Sequence, residues 1–144
     1  LYFRYKHPDQ DLFQDETFGA NLAPQAARMQ YLKRNFESSA TLIEVWPKLA
    51  LYYMHRTLKL PKKDILLYRQ IEQGVHIREH ILEKITEHTG LFVYERDQKK
   101  IIKNIPAFDS LLCACVALLY DLGKVVKFRS DLPLDSGWVQ VPDL

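Results

Sequence analysis

The order of apolar and polar positions along the chain predicts helices interleaved with short strands. Ala26, Met29, Leu32 and Phe36 recur at helical spacing, with Arg28, Lys33 and Arg34 between them. Asn21 is a good N-cap for that helix, Pro24 suits its first turn, and Ser38-Ser39 ends it. Residues 41–46 form a short β-rich run, apolar except for Glu44. Pro47 stops it, since proline cannot continue a central ladder. A helical pattern resumes over 49–58 and yields, after Leu60-Pro61, to Lys62-Lys63-Asp64, which reads as a solvated turn. Next, Leu67, Ile71, Val75, Ile77, Ile81, Leu82 and Ile85 project into an arc of roughly 160° on a helical wheel. That periodicity predicts one amphipathic helix, closed by Gly90.

Beyond Gly90, residues 91–94 read as a short buried strand and residues 96–103 as a charged, solvated loop. Pro106 starts a helix that is apolar nearly all round to Leu122 and stops at Gly123, a pattern that predicts full burial. Residues 125–128 and 138–141 are two further strand candidates around a loop containing Asp135-Ser136-Gly137. Residues 1–21 are aromatic and acidic, hold Pro8 and Gly19, and show no clean period, so they read as an irregular lead-in. No repeat or low-complexity tract interrupts what reads as one domain or domain fragment of α/β class.

Composition supports this picture without sharpening it. At 144 residues, 47% hydrophobic and 26% charged, the chain can bury a real core and is not of disordered composition. A net charge of +2 permits nucleic-acid binding without arguing for it. The longest apolar stretch, residues 111–120, is too short to span a bilayer, so no membrane is expected. Cys113 and Cys115 lie two apart in a helical pattern, point to different sides and cannot bridge each other. They read as small buried hydrophobes in a reducing compartment, which favours the cytoplasm.

Two carboxylates occupy positions where carboxylates are costly. Glu44 ends a strand that otherwise reads as buried, and Asp109 opens an apolar helix. A buried charge finds a cation, a set of donors or a metal. Two such acids converging on Mg2+ would suit phosphoryl transfer. The plainer alternatives stay open: Glu44 on the solvent side of a half-buried strand, and Asp109 favoured by the helix dipole alone.

The order of these motifs carries a resemblance. Leu42-Ile43-Glu44-Val45-Trp46-Pro47 ends a strand, Ile105-Pro106-Ala107-Phe108-Asp109-Ser110-Leu111-Leu112 opens the last core helix, and Gly137-Trp138 with Pro142 closes the chain. Over residues 22–144 this resembles the C-terminal portion of an uncharacterised prokaryotic family of predicted RNase H-like nucleases. The resemblance implies an RNase H-like mixed sheet with helices on its faces, present here as a helix-rich C-terminal portion. It implies Glu44 as the fourth-strand acid and Asp109 as the last-helix acid of a site holding Mg2+ or Mn2+. Two features depart from the family pattern. Pro106 stands where a further acid often precedes the helix aspartate. The first strand and its aspartate should precede residue 22, yet Asp9, Asp11 and Asp15 do not end an apolar β run.

The chain opens on Leu1 rather than Met, and Leu1-Tyr2-Phe3 reads either as an appended remnant or as the continuation of a longer protein. The expectation is therefore a fragment of a metal-dependent nuclease, inactive alone, with nucleic acid as its partner. The alternative is a non-catalytic interaction module that binds through an exposed sheet edge. In either case the strand at 41–46 lacks its neighbour, which a second copy of the chain or a missing N-terminal segment would supply.

Other motifs carry less. His76-Ile77-Arg78-Glu79-His80 spells a zinc-peptidase pattern, but both histidines fall on the polar side of the amphipathic helix. Arg78 is the only charge inside the apolar arc; it either pairs with a buried carboxylate or, by default, snorkels to the edge of the stripe. Arg96, Lys99, Lys100 and Lys103 form the densest basic cluster, able to track a phosphate backbone or simply to face solvent.

Overall fold

Pro47 both ends a strand and begins a helix in the computed structural model, which describes residues 31, 41–127 and 139–144. Proline has no N–H to give a ladder, and its fixed φ is already that of a first helical turn. The chain divides into two units, Leu1–Leu42 and Ile43–Leu144. Of the first, Tyr31 is helical and exposed, and Thr41 and Leu42 are exposed. The helix expected over 24–36, the lead-in at 1–21, and Phe128 to Trp138 lie outside the described residues.

The second unit runs β1 (Glu44–Val45), α1 (Pro47–Met54), α2 (Lys62–Leu67), α3 (Gly74–Thr89), α4 (Glu95–Lys103), α5 (Ile105–Asp121) and β2 (Val139–Gln140). β1 and β2 pair in parallel, with Glu44 opposite Val139 and Val45 opposite Gln140. Parallel neighbours need a crossover, and here the crossover contains the five helices described in this unit. Among the described residues β2 is the only strand beside β1. An antiparallel bridge between Val125 and Pro142 ties the segment after α5 to the tail, through Val126 N–H to Val141 O at 3.0 Å and Asp143 N–H to Lys124 O at 3.0 Å. The unit is thus mixed α/β and dominated by helices.

α5 packs against α1 and α4, α3 against α4, and α2 against α1 and α3. Between them lies one core that includes Leu51, Ile65, Tyr68, Ile81, Phe108, Leu112 and Val116, all fully buried. Each such side chain contributes roughly 1.5–3 kcal/mol on burial.

Several expectations change at this level. The single helix expected from Leu67 is two helices, broken between α2 and α3, and Ile71 is 81% exposed in the break. Helical spacing alone could not reveal this, because Leu67 and Val75 fit the arc whether or not the backbone between them is helical. Lys62-Lys63-Asp64 is the first turn of α2 rather than a loop, with Asp64 where the helix dipole favours a carboxylate. Residues 96–103 are helical as well.

Residues 91–94 join no ladder among the described residues. Leu91 and Val93 pack on the core, while Phe92 and Tyr94 point outward. α5 is not buried all round: Ala114, Ala117, Leu118 and Tyr120 are exposed. Gly90 does close α3, with φ 69° and its N–H donated to Thr86 O at 2.9 Å; that left-handed turn is where glycine carries no steric penalty.

Candidate functional site

The start of α5 is fixed by its own sequence. Asn104 caps it, accepting the Ala107 N–H at 3.0 Å, and Pro106 sits in the first turn. Asp109 therefore projects one turn into the helix. Its Oδ2 accepts a hydrogen bond and ion pair from Arg69 Nη2 at 2.9 Å, and its Oδ1 accepts one from Tyr68 Oη at 3.1 Å. Tyr68 is fully buried and packs on Phe108. Burial, then the charge of Asp109, drives the phenol pKa well above its usual value, so the hydroxyl remains a donor. The Arg69 guanidinium also lies over the Tyr68 ring, 5.5 Å from its centroid.

Asp109 has thus found a cation and a donor, as a half-buried carboxylate must. The Asp109 and Arg69 side chains are still 21% and 34% exposed, so solvent reaches the pair.

Glu44 is exposed. Strand alternation turns it outward and Val45 inward, which is the plainer of the two readings its position allowed. The two acids are held by different means, Glu44 by its strand and Asp109 by the Tyr68–Arg69 cluster. Among the described residues no group of three or more His, Cys, Asp or Glu side chains could hold a metal ion.

Sequence reasoning missed Tyr68 and Arg69. The signal that would have found them is the polar run Gln70, Glu72, Gln73 ending in Gly74, which marks the helix break that frees both residues to face α5.

Arg78 corrects its expectation. It does not snorkel: it is 1% exposed, and its guanidinium is bound by backbone carbonyls. Nε donates to Ile102 O at 2.5 Å, and Nη1 donates to Tyr68 O and to Gln70 O, the latter at 3.1 Å. In a continuous helix the Tyr68 and Gln70 carbonyls would accept from the backbone one turn on; here Arg78 takes that place and fixes the break. Desolvation lowers the Arg78 pKa from its usual value, and the charge of Asp109 opposes that shift.

The basic residues Arg96, Lys99, Lys100 and Lys103 are all exposed on α4. Lys99 pairs with Glu95 at 2.6 Å and Arg96 with Asp97 at 3.3 Å. His76 and His80 have separate neighbours, Glu79 at 3.7 Å and Asp64 at 3.4 Å, and do not converge on one point.

Both cysteines lie on α5 as free thiols, Cys115 buried and Cys113 half-buried. Burial, then Cys113, pushes the Cys115 thiol up to about 11; burial, then Asp109, raises that of Cys113. A pKa raised on folding means that the native state keeps a proton the unfolded chain gives up. Its stabilisation is complete below the unfolded thiol value and is lost as pH rises through the folded one. Unfolding free energy is therefore expected to fall between about pH 9 and 11 as Cys115 loses that advantage, by about 1.4 kcal/mol per pH unit. Urea melts across that range test this, and Cys115→Ala should flatten the slope. An unchanged slope in that variant would assign the loss to another group.

No single described helix is long and apolar enough to cross a membrane. No curated protein and no solved structure matches the chain. A family model described as a protein of unknown function (DUF429) matches residues 14–132, most of the sequence, and the chain belongs to that family.

Proposed function

We propose that this chain is part of a metal-dependent phosphodiester hydrolase of RNase H-like type, with Glu44 and Asp109 as carboxylates of its Mg2+ or Mn2+ site. The observation that carries the reading is the Asp109–Arg69 pair: a carboxylate on α5 and a guanidinium just past the end of α2, side by side and both reached by solvent. The donor chemistry fits, since Mg2+ is commonly held by one or two carboxylates, with waters and substrate phosphate completing its shell.

In this reading Tyr68 fixes the Asp109 rotamer through its buried hydroxyl. Arg69, already paired with Asp109, would add positive charge beside the scissile phosphate. Glu44 supplies the second carboxylate from the sheet. A bound ion supplies a more acidic water and offsets developing charge on the leaving oxygen. The order of the motifs at 42–47 and 105–112 supports the same assignment. Among the described residues β1 pairs on one side only, which favours the second reading, an interaction module that recruits a partner along that edge.

The two readings separate in a titration of the chain with Mn2+, followed by water-proton relaxation. The hydrolase reading expects a bound ion that Mg2+ displaces, with little cleavage of oligonucleotides by this chain alone, because two carboxylates anchor the ion poorly. No ion binding at all would contradict it and leave the interaction module.

A further inference from the structure

Phe92 and Tyr94 are large aromatic side chains 75% and 68% exposed, their rings 5.0 Å apart and nearly perpendicular. They are not loose. Leu91 and Val93 pack on the core, and Phe92 and Tyr94, which alternate with them, face outward. Gln98 Nε2 donates to Val93 O at 2.8 Å and pins the segment to α4, whose N-cap is Tyr94 itself.

α4 is sharply two-sided. Asp97, Gln98, Ile101 and Ile102 are half-buried, whereas Glu95, Arg96, Lys99, Lys100 and Lys103 are exposed. That outer face carries four cations against one carboxylate. Lys99 and Arg96 are partly neutralised by Glu95 and Asp97, so Lys100 and Lys103 carry the surplus.

We infer that Phe92, Tyr94 and the outer face of α4 form a docking platform for single-stranded nucleic acid. Two exposed rings offer flat apolar surfaces for bases to stack on, and the cations beside them meet the phosphates. Charge complementarity selects a polyanion, and the rings select one with exposed flat faces. A duplex hides those faces, and an anionic lipid surface has none. The platform spans roughly 14 Å along α4 and leads through Asn104 directly into α5, which carries Asp109. Its role as a substrate guide rests on the hydrolase reading; its binding does not.

The test is fluorescence anisotropy of a labelled oligothymidine of about 15 nucleotides and of a duplex of equal length, in EDTA so that no metal site contributes. The single strand is expected to bind, more tightly than the duplex. Phe92→Ala/Tyr94→Ala should weaken it about tenfold or more. Arg96→Ala/Lys100→Ala/Lys103→Ala should reduce the slope of log affinity against log salt by about two. All five side chains are exposed, so melting temperatures should hold; Phe92→Leu/Tyr94→Leu, which keeps apolar bulk but removes the rings, should weaken binding as the alanine pair does. Absence of saturable binding, equal or tighter binding of the duplex, an aromatic variant that binds like wild type, or capture by anionic vesicles without oligonucleotide binding would each overturn the inference. Binding in EDTA together with a failed Mn2+ titration would sink the hydrolase reading and leave the platform standing.

Discussion

Replacing Arg78 with alanine is expected to lower the unfolding free energy by about 3–5 kcal/mol. The guanidinium joins four places at once: α3, on which it sits, the end of α2, the break that follows, and the end of α4. Truncating it strands three carbonyls that folded around a donor, each unsatisfied group costing about 1–3 kcal/mol where water cannot reach it. Against a typical domain stability of about 5–15 kcal/mol, that is a large fraction. Arg78→Lys should recover only part, because an ammonium cannot reproduce the fork.

Gly74 belongs to the same arrangement. A Cβ there would lie 2.6 Å from Arg78 Nη1, 2.6 Å from Tyr68 O and 3.0 Å from Leu67 O. Alanine normally favours a helix over glycine by about 1 kcal/mol, yet Gly74→Ala should destabilise by about 1–3 kcal/mol, because two of those neighbours are backbone. Urea denaturation followed by circular dichroism measures both. A loss below about 1 kcal/mol for Arg78→Ala would show that the guanidinium is not what holds the break.

The second large effect concerns Asp109, where stability and metal affinity should separate. Asparagine keeps an oxygen for Tyr68 Oη, so Asp109→Asn should fold with a loss of about 1 kcal/mol. Asp109→Ala removes the acceptor of a buried hydroxyl and should cost about 1–3 kcal/mol. Metal affinity should fall in both, by at least about tenfold (1.4 kcal/mol), because each removes the charge. If Asp109 serves only to hold Arg69 and Tyr68 in place, Asp109→Asn will leave Mn2+ affinity unchanged. Thermal melts and Mn2+ titrations of the two variants decide it.

What the sequence revealed depended on whether a signal was local. Pro47, Pro106 and Gly90 each act within a turn of their own position, so the element ends they mark were legible. The parallel strands β1 and β2 were both expected, but nothing local says that two segments about 95 residues apart are neighbours. The break between α2 and α3 was hidden because apolar spacing survives it. Arg78, which binds the carbonyls at the break, looked like a residue that could escape to solvent. α5 was expected to be wholly buried because its composition is apolar, yet small residues such as Ala114 and Ala117 can face solvent at little cost.

At the candidate site, Asp109 was legible as an acid on an apolar helix. Its partners were not, since Tyr68 and Arg69 lie about 40 residues away and meet it only through packing. Glu44 was placed on the right strand, and its exposure, which packing decides, selects the outward of the two orientations the sequence left open.

The central claim is that Glu44 and Asp109 serve one metal ion. A double-mutant cycle on Mn2+ affinity, with Glu44→Gln, Asp109→Asn and the pair, tests it most directly. If both acids hold the same ion, each single variant should weaken binding at least about tenfold, and the double variant should be weaker than wild type by clearly less than the product of the two losses. Two losses that multiply would place the carboxylates at independent sites, and a Glu44→Gln variant that binds Mn2+ like wild type would contradict the claim outright.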